Sequence, residues 1–98
     1  MKAERIFSRR VVLTRTTFVE IVVWEVPEPL DGSNHCYKYS LALVCKGICV
    51  MRYDNEAGKG DHRHLGEDEY PYQFTDVDQL IHDFLEDVRR WQNEHGNT

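Results

Sequence analysis

The sequence predicts an α+β domain: an antiparallel sheet of four to five strands in a meander, covered by one C-terminal amphipathic helix. Three observations predict it. Residues 10–26 and 35–53 are rich in Val, Ile, Leu, Thr and aromatic side chains, which suit a half-buried pleated surface. Short stretches carrying Gly, Pro, Asn and Asp break these runs, as turns do. Residues 75–92 repeat apolar side chains at i, i+3, i+4 and i+7, the period of a helix with one buried stripe. A chain of 98 residues makes a single domain, residues 1–98, with one core.

The elements follow in chain order. Residues 1–9 are ambiguous, and a short edge strand over residues 3–7 is the reading adopted. Residues 10–26 form two strands joined by a tight turn near Arg15-Thr16. In the second of them Glu20 interrupts an apolar run, so both faces are expected to be largely covered. Pro27 and Pro29 end it, and residues 30–34 are a loop. In residues 35–45, Tyr37, Tyr39, Leu41 and Leu43 share one face, while Lys38 and Ser40 share the other. Lys46-Gly47 is a turn, and residues 48–53 are the return strand. Residues 54–74 hold three glycines, one proline and many charges. They read as one long irregular stretch, of a length that in small domains is usually functional. Thr75 caps the helix, with Asp76 and Asp78 in its first turn. Val77, Leu80, Ile81, Phe84, Leu85, Val88 and Trp91 form the apolar stripe, and Leu80, Ile81, Phe84 and Val88 are expected to be buried on the sheet. Arg89 and Arg90 suit the negative end of the helix dipole, and residues 95–98 are expected to fray.

The net charge of −5 argues against a whole-surface affinity for nucleic acid. The charge is uneven. Lys2, Arg5, Arg9, Arg10 and Arg15 face only Glu4 among the first sixteen residues. Glu67, Asp68, Glu69, Asp76, Asp78, Asp83, Glu86 and Asp87 crowd the last third. No apolar run reaches the roughly 20 residues that span a bilayer, and the basic start lacks an apolar stretch, so a cytoplasmic location without membrane contact is expected. Cys36, Cys45 and Cys49 form no C-x-x-C pair and read as reduced, structural side chains. A domain this small is expected to carry a shallow site, or one completed by a partner or by a second copy in a homodimer.

The chemistry concentrates in residues 52–64, which hold two imidazoles, three cations and three carboxylates. Gly58 and Gly60 flank Lys59, so the backbone there can bend and donate N–H groups. In extended chain His62 and His64 point to one side, with Asp61 and Arg63 on the other. Two imidazoles on one face are what concerted proton transfer requires, one acting as base and one as acid. Lys59 or Arg63 would stabilise a developing phosphorane. That set suits RNA cleavage without a metal or other cofactor. A rival reading takes Asp61, His62 and His64, with Asp54 or Glu56, as metal ligands. Lys59 and Arg63 would oppose a cation, and the spacing matches no structural-zinc pattern, so acid–base work ranks above it. The plain alternative is a solvated, charged hairpin tip. Elsewhere, Tyr37, Tyr39 and Tyr53 either stack on bases in a groove or belong to the core. Tyr70-Pro71-Tyr72 is expected to pack a loop on the sheet. His35 and His82 stand isolated, and Trp24 and Trp91 read as core.

Several segments together resemble one family. They are KAERIF at residues 2–7, Val22-Val23-Trp24-Glu25-Val26-Pro27-Glu28-Pro29, YKYSLALV at 37–44, RYDNEAGKGDHRH at 52–64, and F-x-D-V-x-x-L-x-x-D-F at 74–84. The chain is similar over residues 2–91 to the TumE-type toxins of bacterial toxin–antitoxin pairs. The most specific block is Tyr53, Asp54, Asn55, Gly58, Lys59, Gly60, Asp61, His62, Arg63 and His64. The polar Asp-Gly-type turn usual between the family's first strands is replaced by Arg15-Thr16. The resemblance implies a growth-inhibiting toxin and a helix-turn-helix antitoxin as its partner. With the reading of the residues it gives His62, His64, Lys59, Arg63 and Asp61 as catalytic candidates of a ribonuclease. Tyr53, Asp54, Asn55, Gly58 and Gly60 become candidates for holding RNA. The alternative is a binding module, or an inactive relative, that meets a cellular target through the GKGDHRH loop without catalysis.

Overall fold

A computed structural model describes residues 3–96. Lys2, part of the expected basic patch, and residues 97–98 of the expected fraying end lie outside them. Six strands run in sequence order: β1 (Glu4–Val12), β2 (Thr17–Glu25), β3 (Tyr37–Cys45), β4 (Ile48–Glu56), β5 (Gly60–Leu65) and β6 (Asp68–Pro71). One helix, α1 (Val77–His95), follows. Each strand pairs antiparallel with the next, giving an open meander.

The class and topology are those predicted, with more strands. Residues 54–74 are not irregular. They finish β4 and supply β5 and β6, because Gly58, Gly60 and Gly66 take positive φ values of 86°, 78° and 63° and close two tight hairpins. Hairpins that short need little chain outside the ladder. The expected edge strand over residues 3–7 and the first strand of residues 10–26 are one strand, β1, which reaches Val12, where Leu13 N–H and Thr14 N–H both donate to the Thr17 carbonyl to form the turn. Lys46 and Gly47, with φ of 54° and 78°, make the β3–β4 turn as read from sequence.

One face of the sheet carries the core. Val19, Ile21 and Val23 of β2, Tyr39, Leu41 and Leu43 of β3, and Met51 and Tyr53 of β4 all point to it. Their alternation follows from the side-chain period of two. Leu80, Phe84 and Val88 of α1 close over them. Ile81 is only half-buried, contrary to expectation, because it lies at the flank of the stripe and α1 rests on Leu80, Phe84 and Val88. Glu20 is exposed on the opposite face, so β2 is covered on one face and not two. Asp76, not Thr75, is the N-cap, its carboxylate accepting from the Gln79 N–H at 2.8 Å. No helix among the described residues is long and apolar enough to cross a membrane.

Phe84 is fully buried and meets the Tyr53 ring edge-on, with centroids 5.4 Å apart. Replacing it with Ala is expected to cost roughly 3–5 kcal/mol, a large share of what holds a domain this small. A melting curve of Phe84→Ala that overlays the wild-type curve would disprove this packing.

Candidate functional site

The β4–β5 hairpin sends alternate residues to opposite faces. His62 pairs in register with Asp54, and His64 with Arg52 on one side and Glu69 of β6 on the other. All lie on the face that α1 leaves open. There His64 stands between two carboxylates. Its Nε2 is 3.5 Å from Asp54 Oδ1, and its Nδ1 is 3.3 Å from Glu69 Oε2. Both nitrogens thus face carboxylate oxygen. His62 is held differently. Its Nδ1 lies 3.0 Å from the Gly60 carbonyl oxygen, which can only accept, so that nitrogen carries the proton. Its Nε2 lies 3.7 Å from Glu69 Oε1. The two ring centroids are 6.4 Å apart. The Lys59 ammonium sits 3.5 Å from Glu69 Oε2 at the rim of the same cluster.

Glu69 therefore touches Lys59, His62 and His64, and sequence reasoning did not select it. The signal was present in Gly66-Glu67, a hairpin turn directly after Leu65. That turn would have placed Glu69 opposite His64.

The other candidates lie elsewhere. Asp61 and Arg63 face α1. Asp61 Oδ1 accepts from Ser33 Oγ at 2.7 Å, and its Oδ2 accepts from Tyr39 OH at 2.6 Å and lies 2.7 Å from His35 Nε2. His35, isolated in the sequence, is thus held by Asp61 and stacks on Phe74 at 3.8 Å. Arg63 Nη1 reaches Asp87 of α1 at 3.2 Å. Tyr53 OH donates to the same Asp87 carboxylate. Asn55 is fully buried and replaces ladder bonds between β3 and β4. Its side chain accepts from the Tyr39 N–H at 3.0 Å and donates to the Tyr37 carbonyl at 2.7 Å. Asp61 and the two histidines do not converge, and among the described residues no group of three or more His, Cys, Asp and Glu side chains is placed to hold a metal ion. Tyr39 and Tyr53 belong to the core, and Tyr37 packs against it half-buried. Tyr72 ties the chain after β6 to the helix, its OH donating to Asp83 at 2.6 Å. Trp24 is half-buried on the open face with Arg5 over its ring, whereas Trp91 packs on the core.

The glycines of the hairpin serve the scaffold. Gly58 N–H donates to the Asp31 carbonyl at 2.7 Å, and Lys59 N–H to the Glu56 carbonyl at 3.1 Å. Gly60 lies backbone to backbone against Gly32, which docks the 30–34 loop on the hairpin. A Cβ on Gly60 would sit 2.7 Å from the Gly32 oxygen, whereas one on Gly58 would meet open space. Both have positive φ, so Ala at Gly58 is expected to cost about 1 kcal/mol of backbone strain. Ala at Gly60 is expected to cost clearly more, about 2–3 kcal/mol. Equal losses in chemical denaturation would show that the Gly32–Gly60 approach contributes nothing.

Burial, with hydrogen bonds to Asp61, Asp87 and Asp83 respectively, pushes the Tyr39, Tyr53 and Tyr72 phenols above their ordinary pKa. A raised folded pKa means that the native state keeps protons the unfolded chain releases above roughly pH 10. Stability is therefore fully present below that pH and falls as pH rises past it. Tyrosinate absorbance of these three groups is expected to appear only together with unfolding. Their ionisation while far-UV circular dichroism stays native would contradict these contacts.

The TumE family model, described as toxin TumE, matches residues 2–92. No curated protein and no solved structure matches the chain.

Proposed function

The chain belongs to the TumE toxin family, and from that premise we propose that it is the growth-inhibiting member of a toxin–antitoxin pair that cleaves RNA without a metal through His62 and His64. The observation that carries the proposal is the unlike setting of two imidazoles on one open face, 6.4 Å apart. His62, with its proton on Nδ1 toward Gly60, offers Nε2 as the base. It takes the proton of a ribose 2′-OH, and the 2′-oxygen forms a bond to phosphorus. His64, between Asp54 and Glu69, gives its proton to the departing 5′-oxygen. The P–O5′ bond breaks, leaving a 2′,3′-cyclic phosphate and a 5′-hydroxyl. Lys59 is the cation at the rim that meets the charge growing on the phosphoryl oxygens. Arg63, turned toward Asp87, positions β5 against the helix instead. Asp61 and Asn55 likewise act on the scaffold. A neutralising helix-turn-helix protein and a cytoplasmic site of action complete the reading.

Loss of either histidine is expected to lower the rate by about 10²–10⁴. Loss of both should add little more, since the two act as a unit. The rate should be bell-shaped in pH, because one ring must be neutral while its neighbour is charged. The test compares wild type, His62→Ala and His64→Ala, each confirmed folded, for growth inhibition and for cleavage of total RNA with and without EDTA. Growth inhibition that survives both substitutions would refute the catalytic pair and favour inhibition by contact through the GKGDHRH hairpin. Cleavage abolished by EDTA would favour a metal instead.

A further inference from the structure

The two edges of the sheet differ. β6 is four residues long and carries Asp68, Glu69 and Pro71, which blunt an edge against pairing. β1 is nine residues long, and every residue except Phe7 is exposed. It pairs with β2 on one side and with no strand on the other among the described residues. Its register is irregular only between Arg5 and Phe7. Residues 7–12 are therefore a straight run whose outward backbone groups alternate as donors and acceptors.

This edge is also unusually apolar. Of the six large hydrophobic side chains exposed among the described residues, Ile6, Val11 and Val12 lie on β1, and Val12 is 70% exposed. In the register with β2, Arg9 and Val11 stand opposite Ile21 and Val19 on the helix-covered face, and Arg10 and Val12 stand opposite Glu20 and Phe18 on the open face. Each face of the edge thus offers one arginine and one valine. Arg5 adds a third cation against Glu4 alone, in a chain of net charge −5.

That charge pattern chooses between occupants. A second copy of β1 would bring three arginines of one strand alongside three of the other, and like charges across a ladder destabilise it. A strand with carboxylates and apolar side chains meets complementary charge and covers Val11 and Val12 together. We infer that the outer edge of β1 receives an extended acidic segment of the antitoxin, added as a seventh strand. This rests on the toxin–antitoxin reading above. The histidine pair lies on β5, four strands away, so this contact anchors the partner and leaves the chemistry of the free toxin untouched.

The experiment uses the full chain and the protein encoded in the adjacent reading frame, mixed and purified together. In the complex, alternate backbone amides within β1 are expected to exchange more slowly with solvent than in the free chain. Arg9→Glu with Arg10→Glu is expected to weaken the complex about tenfold, with binding that depends less on salt. Arg9→Glu alone, which leaves Arg10 in place 3.9 Å from Glu20 and over the Phe18 ring, should weaken it less. Both variants should still inhibit growth when produced without the partner. A complex that forms while β1 exchange is unchanged overturns the strand addition and leaves the toxin–antitoxin reading standing. Absence of any complex overturns both. A free chain that dimerises with the same β1 amides protected assigns the edge to a second copy and also overturns the inference.

Discussion

A single helix has one apolar stripe and so can cover only one face of a six-stranded sheet. Every other feature of this molecule depends on which face that is. The choice is made by the side-chain period of two along each strand. Val19, Ile21, Leu41, Leu43, Met51 and Tyr53 fall on one parity, and α1 lays Leu80, Phe84 and Val88 against them. Residues of the other parity lie on the face that the helix does not cover, and that is where His62 and His64 emerge.

The covered face is polar at its margin, and carboxylates organise it. Asp61 gathers Ser33, His35 and Tyr39, while Asp87 gathers Tyr53, Arg63 and Arg90. Both carboxylates are nearly buried, where an unpaired charge would be costly. Each is instead supplied with donors from different elements: the 30–36 loop and β3 for Asp61, and β4, β5 and α1 for Asp87. These contacts fix how the loop and the helix sit on the hairpin that carries the histidines. The Gly32–Gly60 approach does the same from the backbone, since neither residue has a Cβ to hold the chains apart.

The open face carries the two histidines of the hairpin. Its histidines are held by groups they can release: a backbone carbonyl, and carboxylates at ion-pair distance. At the far edge of the same sheet, β1 presents arginines and valines to whatever lies beside it. The histidines on β5 and the arginines on β1 are separated by the width of the meander. Whatever meets β1 is therefore distant from the hairpin that carries the histidines.

The sequence by itself determined the fold class, the meander order, the helix and the fact that His62 and His64 share one side of an extended chain. Each of these follows from local periodicity: two residues per pleat for β3 and for any extended stretch holding the two histidines, and 3.6 per turn for α1. It also determined the family, through motifs spread over nearly the whole chain. Tertiary structure alone decided which neighbours those residues meet. Residues 54–74 looked irregular because their glycines and charges mask two hairpins, and without β6 no reading of the sequence brings Glu69 to His64. Asp61 and Arg63 lie next to His62 in sequence, yet their partners, Tyr39 and Asp87, are 22 and 24 residues away. Alternation states that such neighbours diverge. Only the packing of a loop, a strand and a helix under the sheet states what they diverge towards.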